Sequence, residues 1–268
     1  MAKALGKKED ANYFAKRAGN YKNLFDPSVG LIRGKDSQGK WHAPFNPHFY
    51  DENTGVNDFT EGTSWQYSWY VPHDVPGLIA LMKGKEQFAQ KLDALFTFRE
   101  ADQSTGVSDI QGRIGEYWHG NEPSHHVIYL YSYAGQPWKA AERLHEVVKS
   151  QYGNKPNSLS GNDDCGQMSA WYLFTCLGFY PVCPGSDYYA IGAPQIRKAT
   201  MHLSNGKTFT VKANNLSDKN IYVQSVALNG KKIDDPFLPY SAVSAGGILT
   251  FEMGLEPSNW GTNPRIPK

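Results

Sequence analysis

Apolar positions recur at helical spacing through the first two thirds of this 268-residue chain and alternate in twos through the last third. Phe14, Ala18, Tyr21 and Phe25 fall at i, i+4, i+7 and i+11, which predicts a helix over 9–25 that Asp26-Pro27 ends. Residues 26–60 carry Gly30, Gly34, Gly39, Pro44 and Pro47 and read as a long loop with short strands. A helix opens near Ser64, is interrupted by Pro72 and Pro76, and continues over 75–83. Residues 86–98 place Phe88, Leu92, Leu95 and Phe96 on one face. A Gly-rich loop over 101–121 follows, then a helix over 126–134 that Ser124 can cap and Gly135 ends. Pro137 at a first-turn position opens a helix with Trp138, Ala141, Leu144 and Val148 inward. The last helix is expected over 164–177, stopped by Gly178 and Pro181.

Beyond residue 182 the period changes to two. Residues 198–203, 208–212, 222–228 and 247–253 read as strands, with Asn205-Gly206 and Asn229-Gly230 as hairpin turns. The expected architecture is mainly α with a β tail: helical hairpins over 1–182, then a small antiparallel β domain over 183–268. Alternating long and short loops gather the long ones at one end, where a rigid scaffold usually carries its site.

Composition narrows the chemistry. The net charge is +1 and no long basic run occurs, so neither nucleic acid nor an anionic membrane is an expected partner. No segment approaches 18 consecutive apolar residues, so no membrane span is expected, and the basic start Met1–Lys8 lacks the apolar core of a signal peptide. Cys165, Cys176 and Cys183 show no metal-ligand spacing and read as small apolar residues. Aromatic residues make up 13% of the chain, and many sit beside polar turns, where sugar rings stack.

Three of those turns bear acids. They are Thr60-Glu61-Gly62-Thr63-Ser64-Trp65-Gln66-Tyr67, Trp118-His119-Gly120-Asn121-Glu122-Pro123-Ser124-His125-His126 and Gly161-Asn162-Asp163-Asp164-Cys165-Gly166-Gln167-Met168-Ser169-Ala170-Trp171-Tyr172. Each leads into an aromatic helical pattern, an arrangement suited to a carbohydrate-processing site. Taken singly, the acids also fit plain structural roles: Glu61 at a helix start favoured by the dipole, Asn162 or one aspartate as a helix cap, Glu122 as a loop acid before Pro123. His119, His125 and His126 invite a zinc reading, but adjacent histidines on a helix point about 100° apart; hydrogen bonding to sugar hydroxyls or to the acidic turn is the better expectation.

Together with Val71-Pro72-His73-Asp74, these motifs in this order resemble glycoside hydrolase family 92, the calcium-dependent, exo-acting, inverting α-mannosidases. The resemblance covers nearly the whole chain. It implies part of a six-hairpin (α/α) barrel, with an N-terminal β-sandwich and the rest of the barrel missing, so that the chain resembles the C-terminal part only. It makes Glu61 the general acid, kept protonated by burial beside Trp65 and Tyr67. It makes Asp163 and Asp164 the base and its partner, with Asp164 slightly favoured to activate water. Inversion needs the two carboxyls about 6.5–9.5 Å apart. Calcium is implied at Asn121 and Glu122, through a backbone carbonyl and a carboxylate. Trp65, Trp118, His119, His125 and His126 become candidate substrate contacts, and Trp69, Trp41, His42 and Asp51 are weaker ones.

The implied activity is removal of terminal, α-1,2-linked mannose from glycans, in the periplasm or outside the cell. Two alternatives stand beside it. One is an inactive fragment that binds glycan or needs its missing half. The other is an inverting phosphorylase or glucosidase on a similar helical fold, which would need no calcium.

Overall fold

The computed structural model describes residues 1–51, 57–98 and 111–267. Part of the expected Gly-rich loop, 101–110, lies outside them.

The helices are α1 (Lys8–Ala18), α2 (Ser64–Tyr67), α3 (Val75–Leu81), α4 (Lys85–Thr97), α5 (Leu130–Ala134), α6 (Pro137–Gln151), α7 (Gln167–Leu177) and α8 (Tyr240–Ser244). Small two-stranded ribbons join β1 (Phe25–Asp26) to β2 (Leu31–Ile32) and β3 (Arg113–Ile114) to β4 (Tyr117–Trp118). The stripe expected on α4 is the one buried: Phe88, Leu92, Leu95 and Phe96. On α6 the buried stripe is Ala140, Ala141, Leu144 and Val147, so Val147 takes the place expected of Val148, and Trp138 stays half-buried.

Two expected helices change their bounds for identifiable reasons. The helix over 9–25 stops at Ala18, passes Gly19 into a 3₁₀ turn over Asn20–Leu24, and ends as β1. No residue of α1 is buried, and Phe14 is 58% exposed, because no element among the described residues covers the helix's apolar face. The helix expected from 164 begins only at Gln167, since Asp164, Cys165 and Gly166 have φ of 46°, 57° and 92° and cannot continue a right-handed helix.

The β tail holds a five-stranded sheet of order β10-β9-β12-β8-β7, made of β7 (Lys198–His202), β8 (Thr208–Asn214), β9 (Tyr222–Leu228), β10 (Lys231–Ile233) and β12 (Gly247–Gly254). Both Asn-Gly dipeptides form the expected hairpin turns, and at Asn229-Gly230 both residues take positive φ. The sheet is not purely antiparallel. β12 returns after a crossover and inserts between β9 and β8, antiparallel to the first and parallel to the second. A three-stranded sheet, β11-β6-β5, joins β5 (Phe179–Tyr180), β6 (Tyr188–Ile191) and β11 (Phe237–Pro239) at the foot of α7.

Two apolar cores result. One surrounds Trp69, Leu78, Phe88, Leu92, Tyr117, Tyr131, Leu144 and Trp171. The other surrounds Phe209, Val211, Val226, Leu249 and Phe251 on one face of the sheet. Helix α6 serves both, Leu144 in the first and Ala141 in the second. Phe251 lies fully buried at the centre of the second core, so Phe251→Ala is expected to cost about 3–5 kcal/mol of stability in urea unfolding.

Candidate active site

The three acid-bearing turns converge. Glu61 precedes a capping box in which Thr63 accepts from the start of α2 and Gln66 reaches back to the Thr63 amide at 2.6 Å. Gly62 is required beside it: an added Cβ would lie 2.8 Å from the Tyr67 ring, which packs over this backbone. Gln66 also donates to the Glu116 carbonyl at 2.8 Å, which ties α2 to the β3–β4 ribbon.

Asn121 is the joint between turns. Its buried side chain donates from Nδ2 to the Glu61 carbonyl at 3.0 Å and accepts from the Glu122 amide at 3.1 Å. Each of its oxygens already accepts one hydrogen bond, Oδ1 from the Glu122 amide and the backbone carbonyl from the Ser124 amide at 3.1 Å, and each keeps a second lone pair with which it could meet a cation. The helix expected over 126–134 is thereby broken up. Asn121, not Ser124, caps a 3₁₀ turn over Glu122–Ser124, a second one covers Val127–Tyr129, and α5 follows, ending at left-handed Gly135 as expected.

Burial pushes the Glu122 carboxyl above its ordinary value, and the nearby Asp164 and Glu61 carboxylates push it the same way. Oxygen donors gathered so that they repel one another suit a hard cation. Among the described residues, however, no group of three or more His, Cys, Asp or Glu forms a ready metal cage. A cation here would keep several waters.

The two aspartates differ. Asp163 is spent on α7: its carboxylate accepts from the Ser169 amide at 2.9 Å and the Ser169 hydroxyl at 3.0 Å. Asp164 is exposed, at φ 46°, with its side chain toward Glu122. Glu61, also exposed, has φ 57°. Non-glycine residues in the left-handed region cost roughly 1–3 kcal/mol and concentrate at functional sites. The burial expected to keep Glu61 protonated is not supplied by the described residues.

The histidines are buried and hydrogen-bonded within the fold. His119 is fully buried, bonded through Nδ1 to the Tyr117 hydroxyl (2.9 Å) and through Nε2 to the Tyr152 hydroxyl (2.7 Å). His125 donates from Nε2 to the His119 carbonyl (3.0 Å), and its Nδ1 accepts from Gln167 (3.2 Å). His126 is buried and donates to the Trp69 carbonyl at 2.8 Å. Trp65 is likewise engaged, its indole N–H on His48 at 3.1 Å beneath Lys91. Trp118 is buried under Arg113 and against Tyr50, and its N–H meets no acceptor among the described residues. Trp69 is pure core; Trp41 packs on Lys35, and His42 pairs with Asp58. His73 and Asp74 are structural: His73 bonds the Ala18 carbonyl, and Asp74 caps α3 and accepts from Tyr21.

Sequence reasoning missed Gln167, the first residue of α7, whose Nε2 reaches both His125 and the Tyr180 hydroxyl (3.3 Å). With Trp171 Nε1 on the His125 carbonyl (2.9 Å) and Tyr152 on the Met168 carbonyl (3.2 Å), it locks the aspartate turn to the Glu122 turn. A polar residue at a helix start reads as solvent-facing, so nothing in the spacing marked it.

The model of the glycosyl hydrolase family 92 catalytic domain matches residues 1–255. Among solved structures, the family 92 α-mannosidase BT3965 of Bacteroides thetaiotaomicron, in complex with mannoimidazole, is 49% identical with a TM-score of 0.93, over 98% of this chain and 35% of that one. The inverting mannosidase BT2199 of the same organism is 37% identical with a TM-score of 0.85, over 98% and 36%. A curated relative, an uncharacterized secreted glycosidase of Arthroderma benhamiae, is 32% identical over 98% of this chain and 34% of its own length. The chain belongs to glycoside hydrolase family 92. It spans about a third of the length of these relatives.

Burial holds His125 and His126 neutral, each pushed down to about 4. Unfolded histidines titrate near 6.5, so the unfolded chain takes up protons first. This contribution to stability is full above about pH 6.5 and is lost as pH falls toward 4. His126→Gln, which keeps a donor for Trp69, is expected to flatten that loss in urea midpoints measured across the window.

Proposed function

We propose that the chain carries the acid and base of an exo-acting, inverting α-mannosidase that removes terminal α-linked, chiefly α-1,2-linked, mannose from glycans. One observation carries the reading: in a chain of family 92, Asn121 ties the Glu61 backbone to Glu122, and Asp164 faces Glu122 from the third turn. Glu61 protonates the departing glycosidic oxygen. Asp164 takes the proton of the water that attacks C1 from the opposite face. Asp163, held by Ser169, sets the turn and leaves Asp164 as the base. Calcium fits at Glu122 and the Asn121 carbonyl, and when bound it supplies charge to hold sugar hydroxyls and orient water.

The apolar face of α1, with Met1, Leu5, Tyr13 and Phe14 exposed, supports an N-terminal β-sandwich and barrel half as the partner that completes a six-hairpin (α/α) barrel. That partner and the bound substrate would supply the burial that Glu61 lacks. The change from helices to strands supports a division near residue 182 into helical and β parts, although Ala190 and Phe237 join the first core and Ala141 and Phe179 the second. The secreted relative supports a periplasmic or extracellular location, and no described helix is long and apolar enough to cross a membrane.

Exposure of Glu61 favours a second reading, a fragment that binds glycan without cleaving it. Turnover of an aryl α-mannoside, followed by NMR of the sugar released, separates the two. The mannosidase reading expects β-mannose as first product and a loss of about 10²–10⁴-fold in kcat for Glu61→Gln. Hydrolysis that survives Glu61→Gln unchanged, or binding with no turnover, rejects it.

A further inference from the structure

Tyr70 stands where the chain leaves the core. Trp69 before it is fully buried, whereas Tyr70 is 52% exposed. Its ring is nonetheless braced from two sides. Tyr67 packs against it at 6.3 Å and 65°, and His126 at 5.7 Å and 70°. The backbone is fixed as well: the Tyr70 amide bonds the Tyr67 carbonyl at 3.0 Å, and His126 holds the Trp69 carbonyl.

Its neighbours place it between the acids. Tyr67 packs over Gly62, beside Glu61, and burial with the charges of Glu61 and Tyr70 pushes its phenol up to about 12. Tyr180 bonds Gln167, and burial with Glu122 and Tyr70 pushes its phenol up likewise. Tyr70 is therefore in ring contact with Tyr67, which packs beside Glu61, and with His126, four residues beyond Glu122 on the second turn. A rigid aromatic that stays half in water forgoes the gain of burying its ring, and it offers a flat apolar surface at small entropic cost. A pyranose has C–H groups on one face and hydroxyls around its edge. Laid on such a ring, it makes C–H contacts with the π face while its edge reaches the carboxylates.

We propose that Tyr70 is the platform for the hexose bound between Glu61 and Glu122, the sugar's C–H face on the phenol ring and its hydroxyl edge toward the two acids. This assignment rests on the mannosidase reading. Its test is binding of methyl α-mannopyranoside to this chain by saturation-transfer NMR and calorimetry, with Tyr70→Ala, Tyr70→Phe and, as a control in the β tail, Tyr240→Ala, another exposed tyrosine. Tyr70→Ala is expected to weaken binding roughly five- to tenfold. Tyr70→Phe should stay within about twofold of the parent chain, and Tyr240→Ala should match it. Binding by Tyr70→Ala equal to that of the parent overturns the platform and leaves the mannosidase reading standing. A loss in Tyr70→Phe as large as in Tyr70→Ala also overturns it, since the hydroxyl and not the ring would then hold the sugar. No binding by the parent chain overturns the mannosidase reading and the platform with it.

Discussion

A single buried amide holds the site together. The Asn121 side chain spends its donor on the Glu61 carbonyl and its acceptor on the Glu122 amide, so two turns sixty residues apart in sequence share one strut. Each group it satisfies would otherwise be a backbone polar atom losing water without a partner, at about 1–3 kcal/mol. The same bonds fix where two carboxylates sit relative to one another. Stability and site geometry therefore come from one interaction.

The third turn is attached by a different means. A buried zipper of Tyr117, His119, Tyr152, His125, Gln167 and Trp171 runs from the β3–β4 ribbon into the first turn of α7. It works only while the imidazoles are neutral, because Nδ1 of His125 must accept from Gln167. Desolvation enforces that state. So anchored, the turn can hold Asp164, Cys165 and Gly166 in left-handed conformations that a free chain would relax. The packing of the helical core is thus spent on presenting Asp164 toward Glu122.

Much of this was legible in the sequence, and the failures have physical causes. Period and turn chemistry located α4, α6 and four of the five strands of the larger sheet because each buries one face against its own neighbours. They misjudged α1, whose apolar face has no partner here, and they missed the parallel pairing of β12, which depends on a crossover that no local pattern records. Motif order pointed to the three acid-bearing turns that the structure brings together. It also brought forward Trp65, Trp118 and three histidines as substrate contacts, and a residue type near an acid does not reveal that the Trp65 indole and the histidines hydrogen-bond within the fold. Gln167 and Tyr70 went unnoticed for the converse reason: the first hydrogen-bonds groups distant in sequence, and the second is one aromatic in a run of them.

The central claim is that these turns form one constellation of oxygen donors within this chain, and calcium titration by calorimetry tests it most directly. The account predicts binding in roughly the micromolar to millimolar range that Glu122→Ala abolishes. No binding, or binding that Glu122→Ala leaves intact, would contradict it.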